Sequence, residues 1–135
     1  GNAYPQCFVR GVKRPTYEPA SSAACEKELA AAHLPLKLIV DCSHGKSNKE
    51  PELRGAVVKD ILSQIEQGNR SICGFMLESH LEWGSQPMRK DPRELRPGCS
   101  VTDACIDWDT TEALLREAHA RHRKCMGDRL TTPNS

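Results

Sequence analysis

Residues 38–44 read Leu-Ile-Val-Asp-Cys-Ser-His, a short apolar run that ends in an acid and a histidine. Two further apolar runs are Cys7-Phe-Val9 and Ile72-Cys-Gly-Phe-Met-Leu77. All three are continuous rather than alternating, which is typical of strands buried on both faces of a parallel sheet. The sequence therefore predicts three parallel strands, and polar residues at their ends become candidates for a functional site.

A helical segment is predicted after each strand. Residues 21–33 are rich in Ala, Leu, Glu and Lys, which are strong helix formers. The second helix is expected to end at Gly68-Asn69, and its apolar residues at helical spacing are Leu53, Ala56, Val57, Ile61 and Ile65. The third is expected to begin with Asp109 as its cap, in the capping-box-like sequence Asp-Thr-Thr-Glu, and to run to about Cys125.

The predicted order is β-α-β-α-β-α, with strand starts 31 and 34 residues apart. A (β/α)8 barrel spends about 31 residues on each unit, so the repeat length fits this α/β fold. Three strands cannot close a barrel. A small doubly wound sheet is the rival, although it normally has about five strands. We expect residues 1–126 to be three units of a barrel and residues 127–135 to be a polar C-terminal tail.

Length and composition restrict the class of protein. The chain has 135 residues, enough for one domain, with 38% hydrophobic and 4% aromatic residues, which predicts an aliphatic core. Nineteen basic against eighteen acidic residues give a net charge of +1, which argues against a nucleic-acid partner. No apolar run approaches the roughly 20 residues of a membrane span. The chain lacks an initiating Met, and we expect it to be part of a longer protein.

Seven cysteines are present, an odd number with no C-x-x-C pair, which argues against a zinc ribbon and a disulfide scaffold. The sequence favours small buried thiols in a reducing compartment, and hence a cytoplasmic protein.

Polar residues at the strand ends form a candidate metal site. His44 follows the second strand, Glu78 follows the third, and Asp103 lies in the loop beyond. One imidazole and two carboxylates suit a borderline divalent ion such as Mn or Fe, and a barrel-like arrangement predicts that His44 and Glu78 approach within about 5 Å. The alternative is three separate roles, as a loop histidine, a salt bridge and a cap, and spacing alone favours it.

Basic residues near these strand ends suggest an anion site. Arg10 follows the first strand, and its guanidinium fork matches a phosphate or carboxylate. An ion pair with Asp41 is an equal alternative. Lys46 and Lys49 add positive charge, although solvated loop lysines are commoner.

Two other motifs are expected to be unrelated to function. Residues 40–47 resemble the phosphate-binding G-x-x-x-x-G-K-[ST] loop, but Val40 stands where the first glycine should be, and the next helix begins too late, near Pro51. His119 and His122 are interpreted as a solvated or partly packed helix face rather than a metal pair.

Three longer motifs resemble the class I 3-deoxy-D-arabino-heptulosonate 7-phosphate (DAHP) synthases of the aromatic-sensitive microbial type. They are Asp41-Cys-Ser-His-Gly-Lys-Ser-Asn-Lys49, Gly74-Phe-Met-Leu-Glu-Ser-His80 and Ser100-Val-Thr-Asp-Ala-Cys-Ile-Asp-Trp108. Val9-Arg-Gly11 followed by Lys13 is similar to the family's L-R-G-G-K segment. The resemblance runs from the first residues to about Lys124.

The resemblance implies the C-terminal part of a (β/α)8 barrel, with its sixth to eighth units. It implies an aldol-like condensation of phosphoenolpyruvate with erythrose 4-phosphate, the first step of the shikimate pathway, in an enzyme that needs Mn, Fe or Co and is a homo-oligomer. By motif, His44, Glu78 and Asp103 resemble the metal ligands. Arg10 resembles the arginine that binds the phosphate of phosphoenolpyruvate, Asp103 is expected to contact substrate, and His44 to orient or deprotonate the attacking water.

The chain also departs from this family. The family's fourth ligand, a cysteine, and its K-P-R-T motif belong to an N-terminal half that this sequence does not contain. Val12 and Asp107 replace glycines and Pro97 replaces a tyrosine. We therefore expect the isolated chain to be inactive. The alternative function is a non-catalytic half-barrel remnant that acts as a binding or assembly module.

Overall fold

A computed structural model of the chain describes residues 7–9, 19–44 and 51–131. The strands are β1 (Cys7–Val9), β2 (Leu38–Asp41) and β3 (Ile72–Met76), and the helices are α1 (Pro19–Ala31), α2 (Pro51–Glu66) and α3 (Trp108–Thr131), with one 3-10 turn at Pro92–Glu94. This is the predicted alternating order. Within the described ranges, none of the helices combines the length and apolar character that crossing a bilayer requires.

The three strands form one parallel sheet in the order β1-β2-β3. The α/β fold class with a parallel sheet is thereby confirmed. Asp41, the last residue of β2, pairs with Met76, the last residue of β3. Because parallel strands all point the same way, the segments that leave β2 and β3 start from the same edge of the sheet. This edge carries the candidate site.

Helix α2 covers one face of the sheet and also packs against α3. The core between them contains Val40, Cys42, Val57, Val58, Ile61, Leu62, Ile72 and Ala118. Two residues of the predicted apolar stripe, Leu53 and Ala56, are exposed instead, and Arg54 is buried. The buried face of α2 is rotated from the predicted one because the helix packs against both β3 and α3. The helical period alone does not determine which side of the helix faces these two elements.

The opposite face of the sheet is partly open. Side chains alternate along a strand, so Ile39 lies on the face opposite Val40, and Phe8, its partner in β1, is 60% exposed. The expectation that all three strands are buried on both faces is therefore wrong for the described residues. The seven cysteines are free thiols as predicted, but only Cys42, Cys99 and Cys105 are buried, and Cys73 is exposed.

The helix ends show two further differences. The predicted stop of α2 is confirmed, with Gly68 at a φ of 104° and its N–H donating to the Ile65 carbonyl. The cap of α3 is Asp107 rather than Asp109, since Asp107 Oδ1 accepts from the Thr110 N–H at 2.9 Å. Helix α3 also continues past Cys125 to Thr131, because no proline interrupts it before Pro133.

Candidate metal centre

Two strand ends bring polar side chains to one edge of the sheet. His44 lies three residues after the end of β2, and Glu78 lies two residues after the end of β3. The Cys42 N–H donates to the Met76 carbonyl at 2.9 Å, so the two chains stay paired beyond the strands. His44 and Glu78 therefore leave the sheet side by side.

The loop after β3 carries Asp103 back to the same edge. Ser79 forms a parallel bridge with Ile106, and the His80 N–H donates to the Ile106 carbonyl at 3.0 Å. Gly84 and Cys105 exchange backbone hydrogen bonds at 2.8 and 3.0 Å. The turn at Asp103 is thereby fixed a few residues from the segment that holds Glu78.

The three predicted ligands meet at one point. His44 Nε2 lies 3.2 Å from Glu78 Oε1 and 3.3 Å from Asp103 Oδ2. One donor atom from each residue lies within 4.8 Å of the others, and all three residues are half-buried. The expected approach of His44 and Glu78 is confirmed. The separate roles that spacing favoured do not describe the geometry, although Glu78 does also form a salt bridge, with Arg54.

Asp41 orients the His44 ring. Its Oδ2 lies 2.9 Å from His44 Nδ1, and its Oδ1 accepts from the backbone N–H groups of Ser43 and His44 at 2.9 and 3.1 Å. An ionised carboxylate can only accept, so a proton on Nδ1 would be donated to Asp41, and Nε2 faces Glu78 and Asp103. The sequence had suggested Arg10 as a partner for Asp41, and Arg10 lies outside the described residues.

Glu78 is held from two sides. Its backbone N–H donates to Ser43 Oγ at 2.7 Å, and Arg54 of α2 donates to both its carbonyl and its Oε2. Arg54 is not among the candidate residues that the sequence predicts. Its spacing gives one indication: Arg54 lies one helical turn before Val58 and two turns before Ile61, and all three are on the buried side of α2.

The donor set fits a divalent cation. One imidazole nitrogen and two carboxylate oxygens converge at a half-buried point open to solvent, and this mixture of ligands suits borderline ions. No cysteine belongs to the cluster. Burial, together with the charge of Asp41, raises the pKa of the nearby Cys42 thiol to about 12, so it stays protonated at neutral pH.

The remaining candidates are three basic residues and the two histidines of α3. Arg10, Lys46 and Lys49 lie outside the described residues, so their expected anion site stays a prediction. His119 is exposed and His122 half-buried on α3, as a solvated or partly packed face requires. Helix α2 begins at Pro51 as predicted, too late for a phosphate-binding loop at Lys46.

Comparisons with known proteins identify the family. Residues 1–116 match the model of the DAHP synthetase I family. A Tyr-sensitive phospho-2-dehydro-3-deoxyheptonate aldolase of Salmonella typhimurium is 49% identical over 119 residues, which cover 88% of this chain and 33% of that protein. A Tyr-sensitive relative from Enterobacter agglomerans is 45% identical over 131 residues, 97% of this chain and 62% of that one.

A solved structure shares the fold. The phospho-2-dehydro-3-deoxyheptonate aldolase of Francisella tularensis superposes with a TM-score of 0.78 at 34% identity, over 84% of this chain and 33% of that one. The chain thus spans about a third of the length of several of the proteins it matches. With the family model matching most of its length, the chain belongs to the DAHP synthetase I family.

Proposed function

We propose that this chain is the C-terminal part, units six to eight, of a (β/α)8-barrel DAHP synthase. The reaction is the aldol-like condensation of phosphoenolpyruvate with erythrose 4-phosphate to DAHP and phosphate, the first step of the shikimate pathway, in a cytoplasmic homo-oligomer. Support comes from the family match, from relatives named as this enzyme, and from the parallel order of the three strands.

One observation carries the proposal: three ligand atoms from distant parts of the sequence converge within 4.8 Å at the edge where parallel strands end. That edge is where barrel enzymes place their chemistry. His44, Glu78 and Asp103 would hold Mn, Fe or Co there. When bound, such an ion supplies Lewis-acid polarisation of the erythrose 4-phosphate aldehyde.

The geometry favours a ligand role for His44 over a role as general base. Its Nδ1 faces Asp41, and its Nε2 faces Glu78 and Asp103. A base needs a nitrogen free to accept a proton from water, and both nitrogens are engaged. We therefore propose that His44 acts as a ligand and does not deprotonate the attacking water. Asp103 would contact substrate beside it, and Arg10 would bind the phosphate of phosphoenolpyruvate.

A chimera tests this function directly. The matching third of the Salmonella relative is replaced by this chain, and loss of phosphoenolpyruvate is followed with erythrose 4-phosphate and Mn²⁺. We expect turnover by the chimera and none by the 135-residue chain alone. His44→Ala should abolish turnover, whereas His80→Ala, which removes an exposed imidazole outside the cluster, should retain it. A folded chimera without turnover would refute the assignment.

The second candidate is the non-catalytic remnant, and the open sheet face with Phe8 60% exposed favours it. An uncovered apolar strand is a surface on which another chain can pack. The same chimera separates the two functions. A remnant would give a folded chimera that has no activity whether or not Mn²⁺ is present.

A further inference from the structure

We infer that Arg54 is a positioning residue that aims Glu78 at the cation site, an inference that rests on the function proposed above. Arg54 has no exposed surface and is the largest of the fully buried side chains in the described part of the molecule. It lies on α2, on the same side of the helix as the core residues Val58 and Ile61. Neither composition nor helix period explains a charge at this position.

The side-chain hydrogen bonds of Arg54 within the described ranges go to one residue. Nη1 donates to the Glu78 carbonyl at 2.9 Å and Nη2 donates to Glu78 Oε2 at 3.0 Å. A planar guanidinium with fixed spacing between its donors can hold a carbonyl and a carboxylate of the same residue at once, which a lysine cannot do. Arg54 therefore fixes both the backbone and the side chain of Glu78.

These two hydrogen bonds determine which carboxylate oxygen of Glu78 is presented to a cation. Oε2 is occupied by Arg54, and Oε1 lies 3.2 Å from His44 Nε2, beside Asp103. Glu78 is thus set to bind through one oxygen only. The Arg54 charge also offsets part of the negative charge of the carboxylates that gather around His44.

Stability alone is a weak reason for such a pair. Burying the Arg54 charge costs desolvation energy that its attraction to the half-buried Glu78 repays only with good geometry, and apolar replacements of such pairs are often no less stable. The Nε of Arg54 is buried with no hydrogen-bond partner among the described residues, an added cost. Arg54 is costly to bury, and within the described residues its side chain donates to one candidate ligand, Glu78. Positioning of that ligand accounts for such a side chain.

The experiment measures Mn²⁺ affinity, by the EPR signal of free Mn²⁺, for the 135-residue chain and its variants. Arg54→Met fills similar volume without charge or donors, and Arg54→Lys keeps the charge without the fork. Loss of a group that orients a ligand weakens metal binding by about 10- to 100-fold, so we expect such a loss for Arg54→Met and a smaller one for Arg54→Lys. Unfolding in EDTA shows whether each variant is folded.

Arg121→Met is the matched control, because it removes an Arg–Glu pair, with Glu66, that lies between α2 and α3 away from the cluster. It should keep the affinity of the unmodified chain. A folded Arg54→Met variant that binds Mn²⁺ as tightly as the unmodified chain would overturn the inference.

A metal-free crystal structure of a folded Arg54 variant separates this inference from the proposed function. If the unmodified chain binds no Mn²⁺, its three ligands do not hold the ion without the rest of the enzyme, and the position of Glu78 still decides the role of Arg54. A carboxylate turned away from His44 supports positioning. One that keeps Oε1 within about 3.5 Å of Nε2, a hydrogen-bond distance, refutes it.

Discussion

Asp41 Oδ2 lies 2.9 Å from Nδ1 of His44, while the other ring nitrogen faces Glu78 and Asp103. Asp41 is almost fully buried at the end of β2, so its position is set by the sheet. The His44 ring is therefore oriented by the last residue of β2, the strand that precedes it. A carboxylate behind a ligating histidine fixes the tautomer and makes the histidine a better ligand.

Replacing this carboxylate tests its role. In Asp41→Asn the side-chain oxygen can still accept from the Ser43 and His44 N–H groups, but the negative charge behind Nδ1 is lost. We expect Mn²⁺ affinity to fall by about 10- to 100-fold, measured by EPR titration of the chain. Asp91→Asn, which alters a carboxylate paired with Arg93 and outside the cluster, is the control and should bind as before. Equal affinity of the two variants would contradict the orienting role.

Removing the ligands themselves should have a larger effect. Glu78→Gln and Asp103→Asn keep side-chain size and remove one negative charge each from the point where a cation would lie. Because a direct ligand matters more than a residue behind it, we expect each to weaken Mn²⁺ binding by at least about 100-fold. Titration with visible spectroscopy of Co²⁺ gives an independent measure. His80→Ala is the control, and Mn²⁺ binding unchanged in both ligand variants would refute the site.

The rotation of the α2 stripe predicts a contrast in stability. Ile61 is fully buried in the core, whereas Leu53, which the period placed on the same face, is 40% exposed. Ile61→Ala should lower the free energy of unfolding by about 2–5 kcal/mol, because it leaves a cavity. Leu53→Ala should change it by about 0.5 kcal/mol or less, as most surface substitutions do. Urea unfolding followed by circular dichroism measures both changes. Similar decreases in unfolding free energy for the two variants would mean that Leu53 is buried as the sequence period predicts, and would contradict the observed rotation.

The site could be predicted from the sequence to the extent that it depends on strand ends. The apolar runs located β2 and β3, and the geometry of a parallel sheet then brought His44 and Glu78 to one edge. Asp103 was harder to place by this argument, because its position depends on a loop fixed by backbone pairs such as that of Ser79 with Ile106.

Arg54 and the cap of α3 could not be predicted in this way. A buried arginine is rare by residue type, and its side-chain partner in the described part of the chain, Glu78, lies 24 residues further on. The sequence offers two possible N-caps for α3, Asp107 and Asp109. Each lies three residues before a polar residue, Thr110 and Glu112 respectively. The bridge between Ser79 and Ile106 fixes where the chain enters α3, and Asp107 follows directly as the cap. The cap is therefore selected by a tertiary contact and not by the local sequence.

The buried thiol of Cys42 gives the last prediction, a dependence of stability on pH. Burial, and then the charge of Asp41, raises its pKa from 9.0 to about 12. The folded thiol therefore keeps its proton at a pH where the unfolded thiol has lost it. Its contribution is full below about pH 9 and is lost as the pH rises towards 12, by up to about 1.4 kcal/mol per pH unit. Urea unfolding of the unmodified chain and of Cys42→Ala at pH 8 and 10.5 measures it.

The difference in unfolding free energy between these two proteins should shrink at the higher pH, because only the unmodified chain has this thiol to ionise. Cys73→Ala removes an exposed thiol instead and should follow the pH dependence of the unmodified chain. Parallel curves for Cys42→Ala and the unmodified chain would show that the thiol is not held protonated by the fold. That result would also argue against the packing of Cys42 in the core with Val40 and α2. This packing matters for the site, because His44 follows Cys42 by two residues.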